Sequence, residues 1–185
     1  GAERIFLRVP CDSPIMDIAR RVGFFPYYEE IHLTGSDQGR VEAGAMGDAN
    51  GRQAWLFGRF SAEGRSEPDT HGLFQLYCAA TPQRIREGIG LTIDQWTDSQ
   101  ERNGPHCDEI LLKLDGKIVG WRMCEPFGQT SAGRVLAHND HPDVMPHLVQ
   151  MSCNTLDWLV TSYQENAVDL LTRQGLHEAG RYIML

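Results

Sequence analysis

His138, Asp140 and His141 fall within one short stretch, and Glu125 stands upstream of them. An imidazole or carboxylate so placed can take a proton from a substrate amine, which makes His138, Asp140 and Glu125 candidate catalytic bases. The ordinary reading competes with this one: solvated loop residues, with Glu125 ending a strand and facing water. The string His138-x-x-His141, with His147 further on, has the residue types of a metal site but the spacing of no common one, so no metal is expected. Tyr77 and Trp96 could line an acceptor pocket, although large aromatics at helical spacing also build cores. Cys107 and Cys124 have no activating base beside them in sequence, and inert thiols are the expectation.

Composition narrows the classes. The chain has 185 residues and a formal charge of −8, with a pI near 5.3. No Lys/Arg run is present to neutralise phosphates, so a nucleic-acid partner is not expected. No apolar stretch approaches the roughly 18 to 20 residues that span a bilayer, and no membrane association is expected. Five cysteines, odd in number and without a Cys-x-x-Cys pair, fit reduced thiols in a cytoplasmic protein. Gly1 before a bare strand reads as a cloning remnant, with the natural chain extending upstream.

The elements that must hold these residues include a repeat. Laid without gaps at an offset of 152, Leu156–Leu185 matches Arg4–Leu33 at Leu7/Leu159, Asp17/Asp169, Arg21/Arg173, Gly23/Gly175, Ile31/Ile183 and Leu33/Leu185. Those six identities compare with about two for unrelated segments of this composition. Each copy reads as a strand, a helix closed by glycine and a second strand. In the first copy Asp12 or Ser13 can cap the helix and Pro14 can occupy its first turn. Ile15, Met16, Ile18, Ala19 and Val22 form that helix's apolar side.

Between the copies, the glycine-rich residues 35–51 read as a linker, and Arg52–Phe60 as a strand. Helices are expected over Pro68–Ala80, Gln83–Glu87 and Ile93–Glu101. Asp115-Gly116 joins Asp108–Leu114 and Lys117–Met123 as a hairpin. Gly133–His138 adds a strand, and a helix over Met145–Thr155 leads into the second copy. The expected fold is α/β, a mixed central sheet flanked by helices, antiparallel early and parallel at its crossover, with each β-α-β unit joining parallel neighbours. A partial second copy of the end unit occupies residues 1–34, before a complete domain over 52–185.

This order resembles the GNAT (N-acetyltransferase) superfamily. The string Gln164-x-x-Ala167-x-x-Leu170-Leu171-x-Arg173-x-Gly175-Leu176 is similar to that family's helix ending in Gly-Phe, and Arg20-Arg21-Val22-Gly23-Phe24 repeats the ending. Gly72-Leu73-Phe74-Gln75-Leu76-Tyr77-x-x-x-Thr81-Pro82 and Ile118-Val119-Gly120-Trp121 look like its tandem two-domain members, of which residues 4–34 would be the severed end of a first domain. The resemblance implies acetyl-CoA as cofactor, acetyl transfer to a small-molecule or peptide amine, and a cofactor site at Asn139, His141, Val144, Met145, Tyr163 and Asn166. The departures are as specific. The family's pyrophosphate loop is glycine-rich, whereas Asn139–His147 has no glycine, two prolines and two aspartates. Leu171 and Ala19 stand where the family has a thiolate-protonating tyrosine. Two functions follow as alternatives: an N-acetyltransferase with a degenerate cofactor loop, or a non-catalytic module on the same fold. The orphan first copy is expected to pack against the complete domain, its own missing domain or a second copy in a homodimer.

Overall fold

A computed structural model describes residues 5–35, 55–100, 107–127, 130–151 and 157–185. The 35–51 linker lies, except for Gly35, outside them. Nine strands form one sheet: β1 (Arg8–Pro10), β2 (Tyr28–Thr34), β3 (Trp55–Phe57), β4 (Phe60–Gly64), β5 (Asp108–Leu114), β6 (Lys117–Phe127), β7 (Thr130–Ala137), β8 (Asp157–Thr161) and β9 (His177–Met184). Their spatial order is β1-β9-β2-β8-β7-β6-β5-β4-β3. The helices are α1 (Ile15–Arg21), α2 (Thr70–Ala80), α3 (Gln83–Ile89), α4 (Ile93–Asp98), α5 (Val144–Gln150) and α6 (Glu165–Arg173).

Local chemistry explains most boundaries. Asp115 and Gly116 both take positive φ (50° and 77°), the backbone that a tight two-residue hairpin between β5 and β6 requires. Strand Arg52–Phe60 divides instead into the β3–β4 hairpin, because Gly58 turns left-handed at φ 61°. Gly120 lets α5 approach the sheet: a Cβ there would meet Val144 Cγ1 at 2.5 Å and Leu148 Cδ1 at 3.2 Å. The main core lies on that face, joining Leu112, Val119, Val144, Leu148, Trp158, Val160, Ala167 and Leu171. A second cluster joins α2 and α4 to the opposite face through Leu73, Leu76, Trp96, Leu111 and Ile118.

The two repeat copies interlock. β1 and β2 flank β9, while β8 and β9 flank β2, and every one of these pairings is antiparallel. The strands of each β-α-β unit are thus not neighbours, contrary to expectation: one strand of the other copy lies between them. Residues 152 apart are equivalent, so the pair Glu29–Ile183 maps onto Ile31–Arg181, and Glu30–Tyr182 maps onto itself. A local two-fold axis therefore passes by Glu30 and Tyr182. The copies also end their helices alike, at Gly23 (φ 99°) and Gly175 (φ 91°). In the first strands the gapless alignment slips by one. Arg8 faces Met184 and Leu159 faces His32, which makes Arg8 the counterpart of Leu159 at an offset of 151.

Helix α1 differs from its expected packing. Met16 and Ala19 are buried with Val9 and Leu185, but Ile15, Ile18 and Val22 are 54, 60 and 68% exposed. The seven-residue helix turns only one narrow stripe to the sheet, and nothing equivalent to α5 covers its other side among the described residues.

The entry to α2 depends on charge. Asp69 accepts from Lys113 Nζ at 2.8 Å and from the Ser66 backbone N–H at 2.8 Å. Burial pushes the Asp69 carboxyl up, but the bonds from Lys113 and Ser66 outweigh it and hold the group below its usual 3.8. A depressed folded-state value stabilises in full above the unfolded value and is lost as pH falls through the folded one. Asp69→Asn is accordingly expected to cost about 1 kcal/mol at pH 7, the size of a lost helix cap. It should also flatten the decline in stability below pH 4, as read by urea unfolding at several pH values.

Candidate functional site

The site begins where two parallel strands part. Among the described residues β7 and β8 pair only at Ala132–Asp157 and Gly133–Trp158, and no further pairing joins Arg134–Ala137 to Leu159–Thr161. Gln164, buried in the turn after β8, reaches into the gap, and its Oε1 accepts from the Ala137 N–H at 3.1 Å. A small cleft lies between the turns that follow the two strands, with His138, Asn139, Met145, Tyr163 and Asn166 among its walls.

On the face of the sheet under α2, α3 and α4 a larger chamber of about 220 Å³ opens. Its floor alternates with the main core: Tyr28 and Glu30 of β2 face the chamber, while Ile31 and Leu33 face the core. The first repeat copy therefore supplies part of the site. Glu30, only 6% exposed, takes a 2.6 Å bond from Arg8 Nε. Arg65, beyond β4, donates to Glu109 at 2.8 Å, and the Trp121 indole N–H donates to the same carboxylate oxygen at 3.0 Å. Arg134 of β7 lies 3.9 Å from Glu125. Tyr77 packs against Trp96 at 5.8 Å, and Tyr28 edge-on to Tyr163 at 5.8 Å. Tyr163 is the residue common to chamber and cleft, its hydroxyl 3.3 Å from Thr81 Oγ1.

Burial dominates the electrostatics of the phenols. It pushes Tyr77 up to about 12, with Tyr163 adding to the rise. It raises Tyr28, helped by nearby Glu30, and raises Tyr163 despite the bond from Thr81. All three hydroxyls stay protonated at neutral pH and are able to donate.

The residues singled out from sequence separate into distinct places. The Asp140 carboxylate is 85% exposed, and the Asp140 N–H donates to His138 Nδ1 at 3.1 Å. The His138 and His141 rings lie 5.2 Å apart. His138 reaches the cleft wall; Asp140 and Glu125 are absent from the walls of both cavities. Glu125 is buried rather than facing water, with Oε2 unpartnered. Of the cofactor residues, Asn139, Met145, Tyr163 and Asn166 border the cleft, while Val144 is wholly enclosed in the core. Tyr77 and Trp96 do line the chamber. Burial and then Glu109 push the Cys107 thiol up to about 11, leaving it a poor nucleophile. Among the described residues no group of three His, Cys, Asp or Glu is arranged to hold a metal.

Sequence reasoning missed Arg8, Tyr28, Glu30, Arg65 and Arg134. One signal was available: Tyr28, Glu30 and His32 alternate with Ile31 and Leu33, a pattern that also describes a strand with a wet outer face.

By sequence, no family model and no curated protein matches the chain. Solved structures do. A conserved protein of unknown function from Staphylococcus epidermidis aligns at TM-score 0.53 and 12% identity, over 97% of this chain and 71% of that one. A GCN5-related N-acetyltransferase from Anabaena variabilis aligns at TM-score 0.52 and 9% identity, over 97% of this chain and 45% of that one. The fold is that of the GNAT N-acetyltransferases. At such identities the likeness is one of architecture, and the chain spans less than half the length of the Anabaena protein.

The GNAT fold implies acetyl-CoA, and the loop between β7 and α5 tests the fit. A pyrophosphate needs free backbone donors at a helix start. Here His141 N–H bonds His138 O, Val144 N–H bonds His141 O, and Asp140 N–H bonds His138 Nδ1. Pro142 has no N–H, and Asp143 places a carboxylate at the start of α5, itself held by Arg59 at 2.9 and 3.1 Å. At the end of β7 the Ala137 N–H is taken by Gln164, and just beyond it the His138 N–H by Val119 O. With three of the loop's N–H groups spent, none on Pro142 and a carboxylate on Asp143, the residues present make a poor phosphate cradle.

Proposed function

We propose that this chain is the acceptor-binding part of a GNAT-type N-acyltransferase, holding an amine in the chamber while acetyl-CoA is held elsewhere. In this reading residues 4–34 are the end of a first GNAT-like unit and residues 52–185 a second. The donors that the cofactor needs would sit on another unit or chain, and the work would be done in the cytoplasm. The four described cysteines, Cys11, Cys78, Cys107 and Cys124, are unbridged, in keeping with a reducing compartment.

The observation that carries the reading is the chamber itself. It is roomy, aromatic and walled by both repeat copies, and Tyr163 joins it to the gap between β7 and β8. Aromatic faces and the Glu30 carboxylate suit an ammonium or a neutral amine. The internally bonded 138–144 loop favours a second reading, a binding module that takes part in no transfer.

Calorimetry separates these. Benzylamine is expected to bind, and acetyl-CoA to give no heat at concentrations up to about 1 mM, where free energies near −4 kcal/mol become measurable. Acetyl-CoA binding in the micromolar range would overturn the assignment of the cofactor to another unit. Acetylation of benzylamine by this chain with acetyl-CoA alone would sink the non-catalytic reading as well.

A further inference from the structure

Among the described residues, the large apolar side chains left more than half exposed are Ile5, Ile15, Ile18, Val22 and Phe25. All five belong to the first repeat copy. Ile15, Ile18 and the capping residue Val22 recur at spacings of three and four, which sets them in one seam along α1. Met16 and Ala19 form the neighbouring stripe and are buried with Val9 and Leu185.

The second copy shows what kind of element closes such a face. At the repeat offset of 152, Ile15 corresponds to Ala167, which is wholly buried, and Ile18 to Leu170, which packs against the main core. Helix α5 lies against α6 there. In the first copy the same face carries a bulkier apolar residue at Ile15, and among the described residues no helix covers it.

Area and charge identify the helix that fits. The five side chains leave on the order of 400–500 Å² of apolar surface, a patch of the size that marks an interaction site. Two such patches face to face, with their polar rims, reach the roughly 1,000 Å² of a specific interface. Asp17 lies in the first turn of α1, and Arg20 and Arg21 in the last. Two copies of α1 laid parallel would set Arg21 against Arg21, a repulsive pairing. Laid antiparallel about a two-fold axis beside Ile18, they bring Ile15 to Val22 and Asp17 level with Arg20 and Arg21 of the other copy. The helix dipoles then oppose as well. The face is complementary to itself.

We propose that this chain forms a two-fold dimer in which the α1 helices pack antiparallel through Ile15, Ile18 and Val22. Such an interface is isologous and closes at two copies. It leaves both chambers open, because Leu7 and Val9 turn towards α1 while Phe6 and Arg8, which alternate with them, line the chamber on the other face of the sheet.

Sedimentation velocity of the whole chain tests it. At about 50 μM in low salt the wild type is expected to run at twice its 20.8 kDa mass and to dissociate on dilution. Ile18→Glu, which places two like charges beside the axis, should weaken the dimer at least 30-fold. Asp17→Arg should weaken it about five-fold. Adding Arg20→Glu and Arg21→Glu to that variant should restore it, and both effects should shrink at about 0.5 M salt. These positions are exposed in the single chain, so each variant should keep a sigmoidal thermal melt. Val22→Glu repeats the seam test at the end of the helix, where a change disturbs the fold least. A wild-type monomer at that concentration would overturn the proposal. So would a dimer that persists in Ile18→Glu and Val22→Glu, or assembly beyond two copies.

Discussion

A chain lacking residues 1–35 is expected to lose its cooperative fold. Among the described residues β9 pairs only with β1 and β2, so the deletion strips it of both, and it leaves the β2 side of β8 as an open edge. Ile31 and Leu33 also leave the main core, and Val9 and Met16 leave the small cluster around Leu185. Each fully buried side chain of this size contributes about 1.5–3 kcal/mol. Four of them approach the whole stability of an ordinary domain, about 5–15 kcal/mol. Thermal melting followed by circular dichroism should show a broad, non-sigmoidal loss of signal and a tendency to aggregate. Mixing with a peptide of residues 5–35 should restore a sigmoidal transition, because the strand inserts by backbone pairing. A truncated chain that melts sharply at the wild-type temperature would show that the interlock is not what holds β9 in place.

The same interlock explains what was legible in the sequence. The repeat, the hairpin at Asp115-Gly116, the crossover through α5 and the left-handed glycines 23 and 175 rest on local signals: periodicity, turn chemistry and helix ends. They survive folding because local preference and tertiary structure agree. Which strands become neighbours is not a local property. Nothing in Tyr28–Thr34 records that β9 will lie on one side and β8 on the other, and a rule for simple β-α-β units places its two strands side by side. The chamber was hidden for the same reason. Arg8 and Glu30 are 22 positions apart and look like surface charges until β9 is threaded between their strands. Asp140 and His138 drew attention by their chemistry. Their loop, though, spends three of its N–H donors on itself, which only three-dimensional bonding reveals.

Arg8→Met should be the most damaging single substitution in the chamber. Glu30 is buried with one charge-assisted bond to Arg8, and removing the arginine strands the carboxylate among Tyr28, Tyr163 and the sheet. Breaking a fully buried pair from one side costs about 3–5 kcal/mol. Arg8 itself is one-quarter exposed, and water admitted there reduces the penalty to about 2–3 kcal/mol. Glu30→Gln alone should cost less, about 1–2 kcal/mol, since an amide can still accept from Arg8. The pair together should cost less than the sum of the two, because the double variant holds no stranded charge. Urea unfolding of the four proteins gives the coupling directly, and a coupling energy near zero would mean that water already solvates Glu30. The binding consequence runs the other way. Arg8→Met unmasks Glu30, so benzylamine should bind at least as tightly to the variant as to the wild type wherever the variant remains folded, whereas Glu30→Gln should weaken it about ten-fold. Loss of amine binding in both variants alike would mean that the pair shapes the chamber without contacting the ligand.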